Sequence, residues 1–523
     1  MQIPAPQPHL YNRLEIHDRK QFEIKLEYEP CINDAKSRYL VEAFLFLPAS
    51  LNVDADTYPR QDFYADIHNY VRLKTPVFGL EEILATDSSP LIKLERCSAE
   101  GPALDESEIV YQAKLLSCIF RGALRRFVTT VGSACQDLCA EYSDASLQEG
   151  LASEVRASMR GIVQMLERFR AFTRNLLSRQ SIEERTRASL RLVDEYMSLS
   201  VEQLVRKAVT SMDQLPRSGI YVELRKEMMG QIIQEENHRK ENKLRSVLSP
   251  TGDNEEYMQR IGFLKKFCTN ILFLAARYER GIGWEELLFA IAAGLAMAFA
   301  TAVAFWAQSR FSQASLNFFL IIVIGYMLKD RIKELLRRVL HSVAKKRLFD
   351  RTTVITEPVT KKRLGICREK VDYATTSHVP EEISSLRRTD DFITVSQGEL
   401  AETVIHYQKQ IVLKSEFLPK RAAVSGVTDI IRLNIDRLLR DMDDPEYAME
   451  YVDLEDFSVG HIRAAKRYQV DIAFRFSVDQ GRHKQVSLQL ARLVLDRDGI
   501  KRMVRFQPEA APAGGAPPIR SVA

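Results

Sequence analysis

The stretch LLFAIAAGLAMAFATAVAFWAQSRFSQASLNFFLIIVIGYMLKDR, residues 287–331, holds a single charged residue, Arg310, ahead of Lys329. Elsewhere the chain is dense in ionisable side chains, with 74 Lys+Arg and 70 Asp+Glu among 523 residues. Positions 287–307 make 21 residues without a charge. At about 1.5 Å rise per residue, a helix of that length covers the roughly 30 Å hydrocarbon layer of a bilayer. Trp284 and Trp306, the only tryptophans, stand near its two ends, where amphipathic indoles favour the water boundary. The second apolar run, 314–328, has 15 residues. A straight helix over it falls short of the bilayer unless Ser312 and Gln313 are drawn in or the bilayer thins.

Charge placement sets the orientation. Lys265, Lys266, Arg277 and Arg280 precede the first run, Lys329, Arg331, Lys333, Arg337 and Arg338 follow the second, and the QSRFSQ turn between them has only Arg310. Basic residues mark the cytoplasmic side. The sequence therefore predicts a transmembrane helical hairpin over 285–328, with spans 287–307 and 314–328, multi-pass in the plasma (inner) membrane with both termini cytoplasmic. A single crossing, a re-entrant second segment and a buried helical pair in a soluble domain are the competing readings. Ala290, Gly294, Ala298 and Ala302 recur every four residues, a small-residue stripe of the kind that lets helix backbones approach in lipid. Its expected occupant is the second span, or the same stripe of another copy.

Beyond the hairpin, Ile332, Leu335, Leu336, Val339, Leu340 and Val343 keep a helical stripe without Gly or Pro, which predicts a basic amphipathic stalk over 329–350. Lys329, Arg331, Lys333, Arg337, Arg338, Lys345, Lys346 and Arg347 on it are candidates for contact with anionic headgroups; an ordinary solvated face is the alternative. The bilayer is thus the expected partner, together with an unidentified protein and a second copy of the chain.

The flanking regions read as mixed α+β. QFEIKLEYE (21–29) alternates apolar and polar residues, and RYLVEAFLFL (38–47) is almost continuously apolar, as strands wet on one face and covered on both. With a possible helix over 62–73 they form a strand-rich segment, 1–100. Helical stripes follow: Leu116, Ile119, Phe120, Ala123, Phe127 and Val131; Ile162, Met165, Leu166, Phe169 and Leu176; Val193, Met197, Leu204 and Ala208; and Ile261, Leu264, Cys268, Ile271 and Ala275, running toward the membrane. They predict a helical bundle over 107–280, with a polar exposed break at 235–256 and Asp253 or Asn254 as an N-cap. After the stalk, 352–508 is expected to be an antiparallel-sheet domain. Its strands lie at VITEPVTKKRLGICREKVDYAT, ETVIHYQKQIVL, YQVDIAFRFSV and VSLQLARLVLDRDGIKRMVRF, with a hairpin turn at Asp498-Gly499 and a helix at 427–440. The N- and C-terminal strands are candidates to share one sheet. Residues 509–523, rich in Pro, Gly and Ala, read as a disordered tail.

Chemistry is sparsely signalled. The net charge of +4 is too mild for a nucleic-acid binder. Seven scattered cysteines without a CxxC pair read as reduced intracellular thiols; Cys135 and Cys139, four apart, lack the His or second pair a zinc site needs. The N-terminal MQIPAPQPHLYNRLEIHDRK has no apolar core of a cleaved signal. No phosphate-loop, dinucleotide, zinc-protease or nucleophile-elbow motif occurs. The best acid–histidine groupings are Asp62, Asp66 and His68; Glu402 and His406; and Asp441, Asp443 and Asp444. Each offers too few converging ligands for a metal or catalytic centre, so no catalytic, cofactor or metal residue is assigned. The basic runs 239–245 and 361–368 lack aromatic interleaving and read as solvated loops. The expected function is a membrane-anchored, non-enzymatic scaffold or signalling component. A membrane-tethered enzyme whose site assembles only in the fold, and an oligomeric pore or transporter, are the alternatives.

Overall fold

A computed structural model describes residues 11–29, 37–99, 105–140, 145–215, 219–279, 284–311, 315–347, 349–357, 361–387, 402–414, 426–455, 457–480 and 483–506. The expected disordered tail, 509–523, lies outside them. The chain is α+β and divides into two compact units, one of Met1–Val71, Leu274–Leu418 and Gly426–Ala523, the other of Arg72–Phe273 and Pro419–Ser425.

The first unit is built on two main sheets, the larger antiparallel throughout the pairs β14-β13-β12-β3-β8-β7-β6-β5. β1 (Tyr11–Asp18) and β2 (Gln21–Tyr28) form a hairpin, β3 is Ser37–Pro48, α1 (Arg60–Asp66) is a short helix, and β4 is Ile67–Leu73. Far along the chain come β5 (Ala275–Glu279), β6 (Arg351–Thr356), β7 (Arg363–Thr375), β8 (Glu402–Leu413) and β9 (Val427–Asn434). The last strands are β10 (Glu446–Val452), β11 (Val459–Ala465), β12 (Tyr468–Gln480), β13 (His483–Asp496) and β14 (Gly499–Phe506). The smaller sheet runs β1-β2-β9-β4 and the larger β14-β13-β12-β3-β8-β7-β6-β5. β3 sits between β12 and β8, which explains its nearly unbroken apolar run: a central strand is covered on both faces. The N- and C-terminal strands, candidates from the sequence to share one sheet, share both sheets.

The two sheets meet through side chains in phase on each strand. Phe22 of β2 stacks on Phe474 of β12 at 6.4 Å, Tyr28 of β2 lies 4.7 Å from Tyr39 of β3, and Phe63 of α1 packs on Tyr407 of β8 at 5.5 Å. Among them Lys409 of β8 reaches Asp429 of β9, with Nζ 2.9 and 2.7 Å from the carboxylate oxygens; both side chains are wholly buried. Burial alone would drive the ammonium to lose its proton. The adjacent carboxylate reverses this and holds the Lys409 pKa above the ordinary lysine value. The opposite face of the larger sheet packs Phe44, Phe46, Val404, Ala473 and Leu490 under Ile383 of the helix Glu381–Arg387.

Two local expectations change. Residues 427–434 are a strand, not a helix, because Val427, Asp429, Ile431 and Leu433 also fall on one face at period two and pair with β2; a short 3-10 turn, Asp436–Leu439, follows. Only the first half of 62–73 is helical, and its second half is β4. The hairpin turn between β13 and β14 closes with Asp496 paired to Gly499. Gly499 has φ of 136°, and a Cβ there would collide with the Arg19 carbonyl.

The second unit is a bundle. In chain order after α1 its helices are α2 (Leu80–Ala85), α3 (Pro90–Ala99), α4 (Glu106–Ala140), α5 (Ala145–Leu177), α6 (Glu184–Ser211), α7 (Ile220–Glu241) and α8 (Glu255–Thr269). The first three expected stripes are buried throughout, as Phe120, Phe169 and Val193 illustrate. The fourth ends early: α8 stops at Thr269, a 3-10 turn follows, and Ala275 begins β5, so a strand and not a helix leads toward the apolar stretch. The polar break expected at 235–256 starts inside α7, where Glu235 and Arg239 are buried. Arg239 donates to the Ser246 carbonyl at 3.0 Å, to Ser198 Oγ at 2.8 Å and to Glu202; burial pushes its guanidinium down to about 10. Arg170 forks onto Glu235 at 3.1 and 2.6 Å, and Arg260 onto Glu195 at 3.0 and 2.6 Å. Asn254 precedes α8 with φ of 57° and no side-chain cap; Asp253 Oδ1 instead accepts from the Glu255 amide at 3.2 Å.

Two substitutions test these buried charges. Lys409→Met strands the Asp429 carboxylate and is expected to cost about 3–5 kcal/mol in urea unfolding, most of it recovered in Lys409→Met/Asp429→Leu. Arg239→Met is expected to lower the bundle's unfolding midpoint by a similar energy, about 3–5 kcal/mol, whereas Arg206→Met, at a half-exposed partner of the same Glu202, costs about 1 kcal/mol or less.

Candidate membrane-attachment site

Between β5 and β6 the chain forms two long helices, α9 (Trp284–Arg310) and α10 (Leu316–Arg347), which pack on each other; Glu381–Arg387 is then α11. Within α9, Phe289–Arg310 is the one helix among the described residues long and apolar enough to cross a membrane, and 11% of its most apolar window is buried. The apolar part of α10 is shorter and ends at Lys329.

The inter-helix face differs from the one expected. Among the described residues of α9, Ala292, Ala296 and Ala307 are buried, and a Cβ on Gly325 of α10 would come within 2.9 Å of Val303. Ala290, Gly294, Ala298 and Ala302 are exposed, and nothing lies within 4 Å of a Cβ placed on Gly294. The small-residue stripe thus does not receive the second helix, because α10 takes the opposite face of α9, about half a turn away, where Ala292, Ala296, Val303 and Ala307 align.

Two contacts fix the axial register of the antiparallel pair: Val303 against Gly325, and the Arg337 guanidinium 4.3 Å from the Phe289 ring. Together they bring Lys329, Asp330 and Arg331 level with 295–299 of α9. Lys329 lies 3.7 Å over the Tyr326 ring, while Arg331 and Arg338 flank Glu334 at 3.9 and 3.7 Å. Lys333 is exposed; the side chains of Lys345, Lys346 and Arg347 lie outside the described residues. An upright hairpin with all of 289–310 in hydrocarbon would carry these charges inside, at about 2.5–3.5 kcal/mol for each Lys, Arg or Asp at mid-bilayer.

At the base, β5 and β6 pair antiparallel from Ala275↔Thr356 to Glu279↔Thr352. The strands that enter and leave the hairpin are therefore hydrogen-bonded to each other at the edge of the larger sheet.

The acid–histidine groupings occupy other places. Asp66 accepts from Tyr58 Oη at 2.7 Å, and Arg437 bridges Asp62 at 2.7 Å and Asp66 at 3.6 Å, while His68 on β4 is exposed. Glu402 and His406 lie on a strand, not one turn apart on a helix. Arg387 forks onto Glu402 at 3.0 Å twice, and His406 stacks on Phe44 at 4.2 Å and faces Glu42 at 3.3 Å. Asp443 pairs with Lys466 and Tyr468, and Asp444 with Arg497 at 2.9 Å. Cys135 is buried and Cys139 half-buried. Among the described residues no group of three His, Cys, Asp or Glu side chains converges on a metal-sized site. The run 361–368 contributes Arg363 and Arg368 to an open groove of about 360 Å³ that Arg38 and Lys414 also line.

Sequence reasoning missed three features. The Lys409–Asp429 pair was visible as a charge in phase with buried Ile405, Tyr407 and Ile411. Glu42 interrupts the apolar run of β3 and accepts from Arg475 Nε at 2.6 Å and Gln408 at 3.1 Å. The third is the two-stranded ribbon β10–β11, exposed along both strands. Its register puts Tyr447, Met449, Tyr451 and Ile462 on one side, with Leu454 and Phe457 81% and 80% exposed at its end.

No family model, curated protein or solved structure matches this chain.

Burial pushes the Glu42 carboxyl up, but His406 and Arg475 outweigh it and hold the pKa at about 2 against an ordinary 4.5. A carboxyl with a depressed folded-state pKa contributes stability above its unfolded value and loses it as pH falls through the folded one. Unfolding measured from pH 6 to pH 2 is expected to show up to about 3 kcal/mol of loss from this group, concentrated below pH 4.5, and Glu42→Gln should flatten that part of the profile.

Proposed function

We propose that this chain is an integral membrane protein whose α9–α10 hairpin leaves and returns to one face, and whose folded units act there as a non-enzymatic scaffold or interaction component. The carrying observation is the β5–β6 ladder beneath an exposed apolar hairpin. Strands that hydrogen-bond to each other share a compartment, so the number of crossings between them is even. A single crossing by α9 does not fit that ladder. Exposed Ile291, Leu295, Phe305, Phe319 and Ile324 make a surface larger and more continuous than soluble proteins leave to water, which favours a hairpin in lipid over one in solvent. The basic flanks point to the cytoplasmic side, and the first and last strands, which belong to the same compact unit, share it.

Two observations support the scaffold role. Asp62, Asp66, Glu402, His406, Asp443 and Asp444, from the sequence's acid and histidine groupings, are engaged in ion pairs that tie strands and turns together. The β10–β11 ribbon presents an apolar side that no described element covers, and an isolated two-stranded ribbon is marginal in water, so a protein partner fits it.

The test is extraction and topology in native membranes. Full-length protein should resist alkaline carbonate, a variant with 284–347 replaced by a short Gly-Ser linker should be released, and tags at both ends should be protected from protease added outside. Release of the full chain, or tags on opposite faces, would overturn the proposal.

A further inference from the structure

At the level where α10 carries Lys329, Asp330, Arg331 and Glu334, α9 presents Ile291, Leu295 and Met297, each about half exposed. One depth in an upright hairpin thus meets two surfaces of opposite preference. If that depth is hydrocarbon, the charges of α10 lose their water; if it is aqueous, the apolar side of α9 faces solvent. The uncharged part of α10, 316–328, rises only about 20 Å, against a hydrocarbon layer of roughly 30 Å. A tilt removes the conflict. Packed helices lie about 8–10 Å apart, so rotating the pair until α9 is beneath α10 separates the two surfaces by most of that distance. Long basic side chains add reach toward water.

Resting on the membrane attachment proposed above, we infer that the hairpin sits obliquely in one leaflet, with α9 turned to the acyl chains along its length and the Lys329–Arg338 band of α10 seated on anionic lipid headgroups. The band's sign supports this occupant: Lys329, Arg331, Lys333, Arg337 and Arg338 outnumber Asp330 and Glu334, and each basic residue near the surface adds attraction to anionic lipid. Arg331 and Arg338 are 84% and 80% exposed, turned away from α9 and open to a headgroup layer.

Depth-resolved tryptophan quenching tests it with the full chain. In a Trp284→Phe/Trp306→Phe background, Ile291→Trp and Leu335→Trp place one indole on each helix at nearly one axial level. Both proteins are reconstituted into phosphatidylcholine–phosphatidylglycerol vesicles containing lipid brominated in the acyl chain. Quenching of Ile291→Trp is expected to exceed that of Leu335→Trp by about twofold or more, as for a helix pair lying in the interface. Raising salt or omitting phosphatidylglycerol should bring the two values together as the band loosens. Equal quenching in anionic vesicles, or stronger quenching of Leu335→Trp, overturns the oblique placement while leaving attachment intact. An Ile291→Trp indole shielded from both brominated lipid and aqueous acrylamide means that a second copy covers α9, which also overturns it. Failure of either protein to float with vesicles sinks the attachment itself. Wild-type Trp284 and Trp306 provide the same flotation control should a variant misfold.

Discussion

The hydrogen-bond ladder between β5 and β6 is the constraint from which the rest follows. It is short and lies at the edge of a large sheet, yet it brackets the most apolar part of the chain. A helix alone tells only that a segment is comfortable in lipid. The ladder adds that whatever leaves the sheet at Glu279 has come back by Arg351. Hydropathy and backbone pairing therefore answer different questions, and the proposed topology needs both.

The sheet that anchors this ladder is assembled from distant parts of the sequence. β3 is the strand through which the N-terminal segment enters the larger sheet, and β2 pairs with β9 in the smaller one. The two sheets are joined by aromatic contacts and by Lys409–Asp429, a buried ion pair that is costly to break and weak as a net source of stability. Its consequence is specificity of register: sliding β8 or β9 by one residue would turn a buried charge away from its partner. The bundle uses the same device, with Arg170, Arg239 and Arg260 each matched to a carboxylate on α6 or α7.

Much of this was legible before the fold. The helical stripes of α4, α5 and α6 and the alternation of β2 and β12 read directly, since each shows one period over many residues. What failed had a physical cause in every case. Residues 427–434 satisfy both a helical and a strand period, and the strand wins because β2 offers partners that a local pattern cannot reveal. The expected continuation of α8 ignored Phe273 and Leu274, after which the chain extends. The small-residue stripe of α9 was correct as a pattern, but a second alanine-rich face lies on the opposite side of the helix, and sequence does not say which one α10 selects. The axial register of the hairpin, which sets how deep the charges of α10 can go, depends on the Gly325 and Phe289 contacts and was not readable at all.

The most direct measurement is a cross-strand bridge in the full-length protein. Tyr278 and Thr353 are paired across the ladder, so Tyr278→Cys with Thr353→Cys, oxidised in native membranes, should yield a disulfide-linked pair of peptides in good yield. Two thiols that remain unbridged under the same oxidant, or that react with impermeant reagents from opposite faces, would contradict the account.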